Sequence, residues 1–181
     1  MTQVMNTIMA SGEYPQEWKE ASLMLLTKRP PTETAPPSYR PICLLNSMSK
    51  LLEHLLAGRL RAELEERAPL ADNQYGFRRG KSTVDAIRRV VELSEKANQG
   101  TRRTRQFCVL ITLDVRNAFN AVAWEFLIEE LNARGISPYL LRMIKSYLSN
   151  RWLLLTDRDG GQRKIRVTSG VPLGSMCSRM F

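Results

Sequence analysis

An α+β domain is predicted, and three observations predict it. An apolar stripe of helical period runs from Ser47 to Arg67. Short β-rich apolar runs stand at Ala21–Thr27 and Phe107–Leu113. Two further runs, Trp152–Thr156 and Gln162–Val167, flank a Gly-containing turn at Asp157–Gly161 and read as a hairpin.

Each element follows from local chemistry. Ala21–Thr27 is a strand closed by Arg29–Ser38, a loop with four prolines. Met48, Leu51, Leu52, Leu55, Leu56, Leu60 and Leu64 form the stripe of the next helix, which Gly58 weakens without breaking. Ser82 and Asp85 make a capping box for a helix whose apolar face is Val84, Ile87, Val90 and Val91. Phe107–Leu113 reads as a buried strand. Trp124–Ala133 is helical and stops at Gly135. Ser137 is an N-cap, with Pro138 at the first helical position, for a helix striped by Leu140, Leu141, Ile144, Tyr147 and Leu148.

The composition bounds the class. The 181 residues are 43% hydrophobic and 25% charged, an ordinary globular mixture with no internal repeat. A chain of this size buries about 70% of its extended surface, enough for one core. No run approaches the roughly 20 apolar residues of a membrane span, and the first 20 residues lack the pattern of a secretory signal. Cys43, Cys108 and Cys177 lie far apart, and His54 is alone, which argues against a disulfide framework or a zinc site. An intracellular protein, in cytoplasm or nucleus, is expected.

Charge suggests the partner. Twenty-seven Lys and Arg face 18 Asp and Glu, a net charge of +9. The cations cluster. Arg78, Arg79, Lys81, Arg88 and Arg89 surround Asp85 alone; Arg102, Arg103 and Arg105 have no acid nearby; Arg151, Arg158, Arg163, Lys164 and Arg166 accompany Asp157 and Asp159. A single such cluster is usually a solvated face. Three of them point to a polyanion, so a basic nucleic-acid-binding module is one reading. The chemistry-bearing segment is Leu113-Asp114-Val115-Arg116-Asn117-Ala118-Phe119-Asn120. A carboxylate at a rigid strand end, followed by the Val115 carbonyl, suits a hard divalent cation. The same pattern also fits an Asp that merely ends a strand.

Five segments in order give a resemblance: WKEASLMLLTK (18–28), YRPICLLNSMSKLLEHLLAGRL (39–60), NQYGFRRGKSTVDAI (73–87), VLITLDVRNAFNAVAW (109–124) and SGVPLGS (169–175). Together they resemble the reverse transcriptases of non-LTR (LINE-type) retrotransposons, in particular the insect elements that insert at defined repeats. The resemblance implies a right-hand polymerase with a fingers-like region over 1–106 and part of the palm over 107–181. It implies template-directed DNA synthesis from an RNA template, a DNA primer and dNTPs, with Mg²⁺. Asp114 matches the first metal carboxylate, with the Val115 carbonyl as a further ligand. Phe119 matches the aromatic gate under the incoming sugar. Lys28, Arg40 and Gly170 match nucleotide-side positions. Arg78, Arg79, Lys81, Arg102, Arg103 and Arg105 match or extend nucleic-acid contacts.

The sequence departs from the family pattern at Leu173, where Gln is usual, and at Asn120, where Asp is more common. It also contains no (Y/F)xDD segment, the source of the other metal carboxylates. This implies a palm cut before that hairpin and before the thumb, a chain that does not polymerise by itself, and an exposed flank at Phe107–Leu113 that favours aggregation.

Overall fold

The computed structural model describes residues 2–29, 38–101, 103–115, 118–157 and 159–171. Among the described residues six helices are formed: α1 (Thr2–Ser11), α2 (Ser47–Arg67), α3 (Thr83–Asn98), α4 (Ala118–Ala121), α5 (Trp124–Ala133) and α6 (Pro138–Leu148). A single 3-10 turn covers Gln16–Trp18. Four strands, β1 (Glu20–Arg29), β2 (Ser38–Leu45), β3 (Arg151–Thr156) and β4 (Gln162–Val167), form one sheet in the order β2-β1-β3-β4. β1 runs antiparallel to β2 and parallel to β3, and β3 and β4 form the antiparallel hairpin. No helix of the described residues is long and apolar enough to cross a membrane.

The chain divides into two compact units, Met1–Pro69 with Asn117–Phe181, and Leu70–Arg116. The first unit holds the sheet and the main core. Met5 and Met9 of α1, Leu52, Leu56 and Leu60 of α2, Leu127 and Leu131 of α5, and Leu140, Met143 and Ile144 of α6 pack into one cluster. The α2 stripe is narrower than its sequence pattern, because Leu51 and Leu55 stay more than a third exposed, at 39% and 38%. A smaller cluster of Ala21, Cys43 and Leu45 lies on the sheet, with Leu23 and Leu153 against it.

Local signals set the helix ends. The Asn46 side chain accepts from the Met48 N–H at 2.8 Å and starts α2. Gly135, at φ +74°, turns the chain out of α5 so that the Ile136 N–H reaches the Leu131 carbonyl at 3.1 Å. Ser137 begins α6, but its side chain does not cap it. Instead the Ser137 N–H and hydroxyl each donate to the Glu63 carboxylate on α2, both at 2.7 Å.

The core also encloses polar groups. Glu53 of α2 is fully buried, and Arg151 at the start of β3 is 2% exposed. The Tyr147 hydroxyl donates to Glu53 Oε1 at 2.7 Å, while the Arg151 guanidinium lies 4.3 Å over the Tyr147 ring and donates to the Tyr147 carbonyl at 3.0 Å. Tyr14 stands edge-on to Tyr147, with its hydroxyl 2.8 Å from Ser49 Oγ.

The second unit corrects one expectation. Phe107–Leu113 is not a buried strand. Residues 105–115 have no regular secondary structure, and Phe107, Val109 and Leu113 are 100%, 79% and 92% exposed. β propensity expresses a fit to a paired, half-buried surface, and no described strand lies beside this segment to supply the ladder. The exposure expected at this flank is therefore present, without the strand. α3 forms where its capping box predicts, yet none of its residues is buried, and Val84, Ile87, Val90 and Val91 remain exposed.

Two substitutions measure this contrast. Leu140→Ala, at a position with no exposure, is expected to cost about 2–5 kcal/mol of unfolding free energy in urea titrations. Phe107→Ala is expected to change it by less than about 0.5 kcal/mol. A loss of several kcal/mol at Phe107 would restore the buried strand.

Candidate functional site

The residues proposed from sequence fall in both units. Asp114 and Val115 stand on the exposed segment 105–115, with Arg78, Arg79, Lys81, Arg103 and Arg105 in the same unit, Leu70–Arg116. Lys28, Arg40, Phe119 and Gly170 belong to the other unit. Arg102 lies outside the described residues, as do the side chains of Lys28 and Phe119 and residues 172–175 of the Gly-rich motif.

Asp114 is exposed and makes no hydrogen bond or ion pair among the described residues. Its carboxylate is free to meet a cation, but among the described residues no three His, Cys, Asp or Glu side chains converge to hold one. One carboxylate and one carbonyl do not fill the coordination shell of a hard divalent ion. The described residues therefore do not fit a bound metal pair.

The basic turn before α3 is built more tightly than its composition suggests. Phe77 and Gly80 both take left-handed backbone angles, φ 56° and 75°, and fold the segment back on itself. Arg78 Nη1 then donates to the Ala71 carbonyl at 2.7 Å, and its Nη2 lies 3.7 Å from Asp72. Lys81 donates to the Asp72 carbonyl and sits 5.0 Å from the centre of the Tyr75 ring. Two of the six predicted contact cations, Arg78 and Lys81, thus close the turn. Arg79 is exposed and has no partner among the described residues. The side chains of Arg103 and Arg105 are likewise exposed without ion-pair partners among the described residues.

Gly170 is buried. Its N–H donates to the Val122 carbonyl at 2.8 Å, and its own carbonyl accepts from Trp124 Nε1 at 2.7 Å. These bonds tie the start of the Gly-rich motif to the α4–α5 junction. Arg40 is exposed on β2, opposite Leu26 in register. Two surface cavities, of about 360 and 720 Å³, are lined by none of the residues proposed from sequence.

Sequence reasoning missed Lys19. Its side chain is 5% exposed, with one hydrogen bond to Ser149 Oγ at 3.4 Å. Burial holds its ammonium below the usual lysine range; the Arg151 guanidinium adds to this, and Glu13 opposes it. A lone Lys between Trp18 and Glu20 carries no signal that the chain will cover it.

Residues 27–180 match the family described as reverse transcriptase (RNA-dependent DNA polymerase). The chain belongs to the reverse transcriptase family, on the LINE-type branch. It is 34% identical over 173 residues to the probable RNA-directed DNA polymerase from transposon BS of Drosophila melanogaster, covering 96% of this chain and 18% of that protein. Against the corresponding protein of the X-element of the same organism it is 32% identical, covering 97% of this chain and 19% of that protein. Against the Pol polyprotein of the type-1 retrotransposable element R1 of Bradysia coprophila it is 34% identical, covering 90% and 15%. The chain spans about a fifth or less of the length of these relatives.

The capping box carries a pH dependence. Asp85 accepts from the Ser82 hydroxyl at 2.6 Å and the Ser82 N–H at 2.9 Å, and these bonds hold its carboxyl below the usual carboxylate range, with Arg88 and Lys81 adding to the effect. A lowered folded pKa stabilises the charged form. The contribution to α3 is complete above the ordinary carboxylate pKa and is lost as pH falls through the lower folded value. Amide exchange in the first turn of α3 should accelerate over that acid range, and Asp85→Asn should remove the dependence.

Proposed function

We propose that this chain is the fingers and first palm portion of a reverse transcriptase, and that its own contribution is to bind the nucleic-acid backbone and present one metal carboxylate, Asp114. The observation that supports this best is that the family match runs through Asp114 while the structure leaves that side chain exposed and unpaired. In this reading residues 1–106 are fingers and 107–181 palm. The working enzyme copies an RNA template from a DNA primer with dNTPs and Mg²⁺, inside the cell. In this reading Lys28 and Arg40 serve the triphosphate, Phe119 serves selection of the sugar, and Gly170 belongs to the nucleotide side of the site.

The described residues do not assemble a divalent-cation site, so no catalytic step is assigned to them. What they supply is positioning. Arg79, Arg103 and Arg105, exposed and without ion-pair partners among the described residues, contact phosphates and displace counterions. Arg78 and Lys81 act indirectly, by holding the turn that presents Arg79.

Binding of single-stranded RNA to the 181-residue chain should weaken steeply with salt, each phosphate contact contributing about 0.7 to the log–log slope. Arg79→Ala should lower both affinity and slope. Asp114→Ala should leave binding unchanged or slightly tighter, while abolishing dNTP incorporation in a longer polymerase that contains this chain. Loss of RNA binding in Asp114→Ala, or retained incorporation, would overturn the assignment.

A further inference from the structure

The cavity of about 720 Å³ lies between the segment Ser11–Lys19 and the end of α6, within one unit, and is lined by none of the residues assigned above. Its walls include Lys19, Lys145, Ser146, Ser149, Tyr14 and Glu13.

A buried ammonium is costly unless paired. Lys19 is 5% exposed, has no carboxylate within 4 Å among the described residues, and has three hydrogens against one hydroxyl acceptor at 3.4 Å. Ser149 donates its own hydrogen to the Ser146 carbonyl at 2.9 Å, so it serves Lys19 purely as an acceptor. Ser146 Oγ accepts from the Tyr14 N–H at 2.8 Å, and its own hydrogen has no acceptor among the described residues. Lys145 follows the helix to the same opening and is exposed without an ion-pair partner among the described residues. Lys19, Lys145 and Ser146 thus line one cavity, Lys145 also lining the smaller one beside Glu125 and Glu129, and Glu13, the sole carboxylate among the lining residues, acts on Lys19 at a distance but forms no ion pair with either lysine among the described residues.

From this geometry we infer a phosphate-binding site at Lys19, Lys145 and Ser146. Point-charge donors with freely rotating hydrogens suit a tetrahedral oxyanion better than a planar carboxylate, which favours a bidentate fork. The phosphate group is either one link of a nucleic-acid strand or a free phosphate. Neither case depends on the polymerase reading.

The test titrates the folded 181-residue chain with inorganic phosphate alone at constant ionic strength, followed by calorimetry and phosphorus NMR. Saturable binding is expected, weakened about tenfold or more by Lys19→Met and about threefold by Lys145→Met. If Lys19→Met does not fold by circular dichroism, Ser146→Ala and Lys145→Met carry the test. Absence of saturable binding, or unchanged affinity in the folded variants, would overturn the site. Repeating the titration with a short single-stranded oligonucleotide separates the sources. Dependence on Lys19 in both titrations means a strand phosphate, and dependence in the phosphate titration alone means a free one. Because the phosphate arm contains no nucleic acid, it stands or falls separately from the RNA-binding result for Arg79 and Asp114.

Discussion

The first unit is organised around Tyr147. Its hydroxyl donates to the buried carboxyl of Glu53 and its ring faces the buried guanidinium of Arg151, so two buried ionisable side chains meet on one residue. Burying either charge alone would be costly. Together they join α2, α6 and the start of β3. β3 in turn pairs in parallel with β1, at Glu20↔Trp152, Ala21↔Leu153 and Ser22↔Leu154, so the sheet inherits its position from this polar seam. One donor, Arg151 Nη2, is buried without a hydrogen-bond partner among the described residues. Its neighbour Lys19 carries a like charge into the same region, which adds to the effect of burial in lowering the proton affinity of Lys19.

Sequence pattern foretold those elements whose stabilising partners lie close along the chain. The stripe of α2, the Gly135 stop of α5, the Pro138 start of α6 and the β3–β4 hairpin all lie where local chemistry puts them. It failed where pairing decides. Phe107–Leu113 has the composition of a strand and no ladder, whereas Ser38–Leu45 contains Pro41 and still forms β2. Proline removes one donor, which an edge strand tolerates on its open side, and β2 is an edge of this sheet. α1 was missed because its buried side chains are chiefly Met5 and Met9, too sparse a pattern to register.

The candidate site divides along the same line. Residue types and their order identify the family, and Asp114 lies exposed on its segment. Convergence is a property of tertiary structure, and spacing along the chain does not encode it. The basic turn shows this on a small scale. Arg78, Arg79 and Lys81 are equivalent in composition, but the left-handed backbone at Phe77 and Gly80 directs two of them onto carbonyls of residues 71 and 72 and leaves one for solvent. Counting charges thus overstates the cations available to a ligand.

The bond between Ser137 and Glu63 has a dynamic consequence. A helix whose first turn is capped by its own neighbours can fray locally while the rest of the fold stays closed. α6 has no such private cap, since both the N–H and the hydroxyl of Ser137 are satisfied by a carboxylate 74 positions earlier, on α2. Releasing the first turn of α6 therefore strips two hydrogen bonds from α2 as well. The two helices are joined into one cooperative unit, opening as a block, despite their distance along the chain.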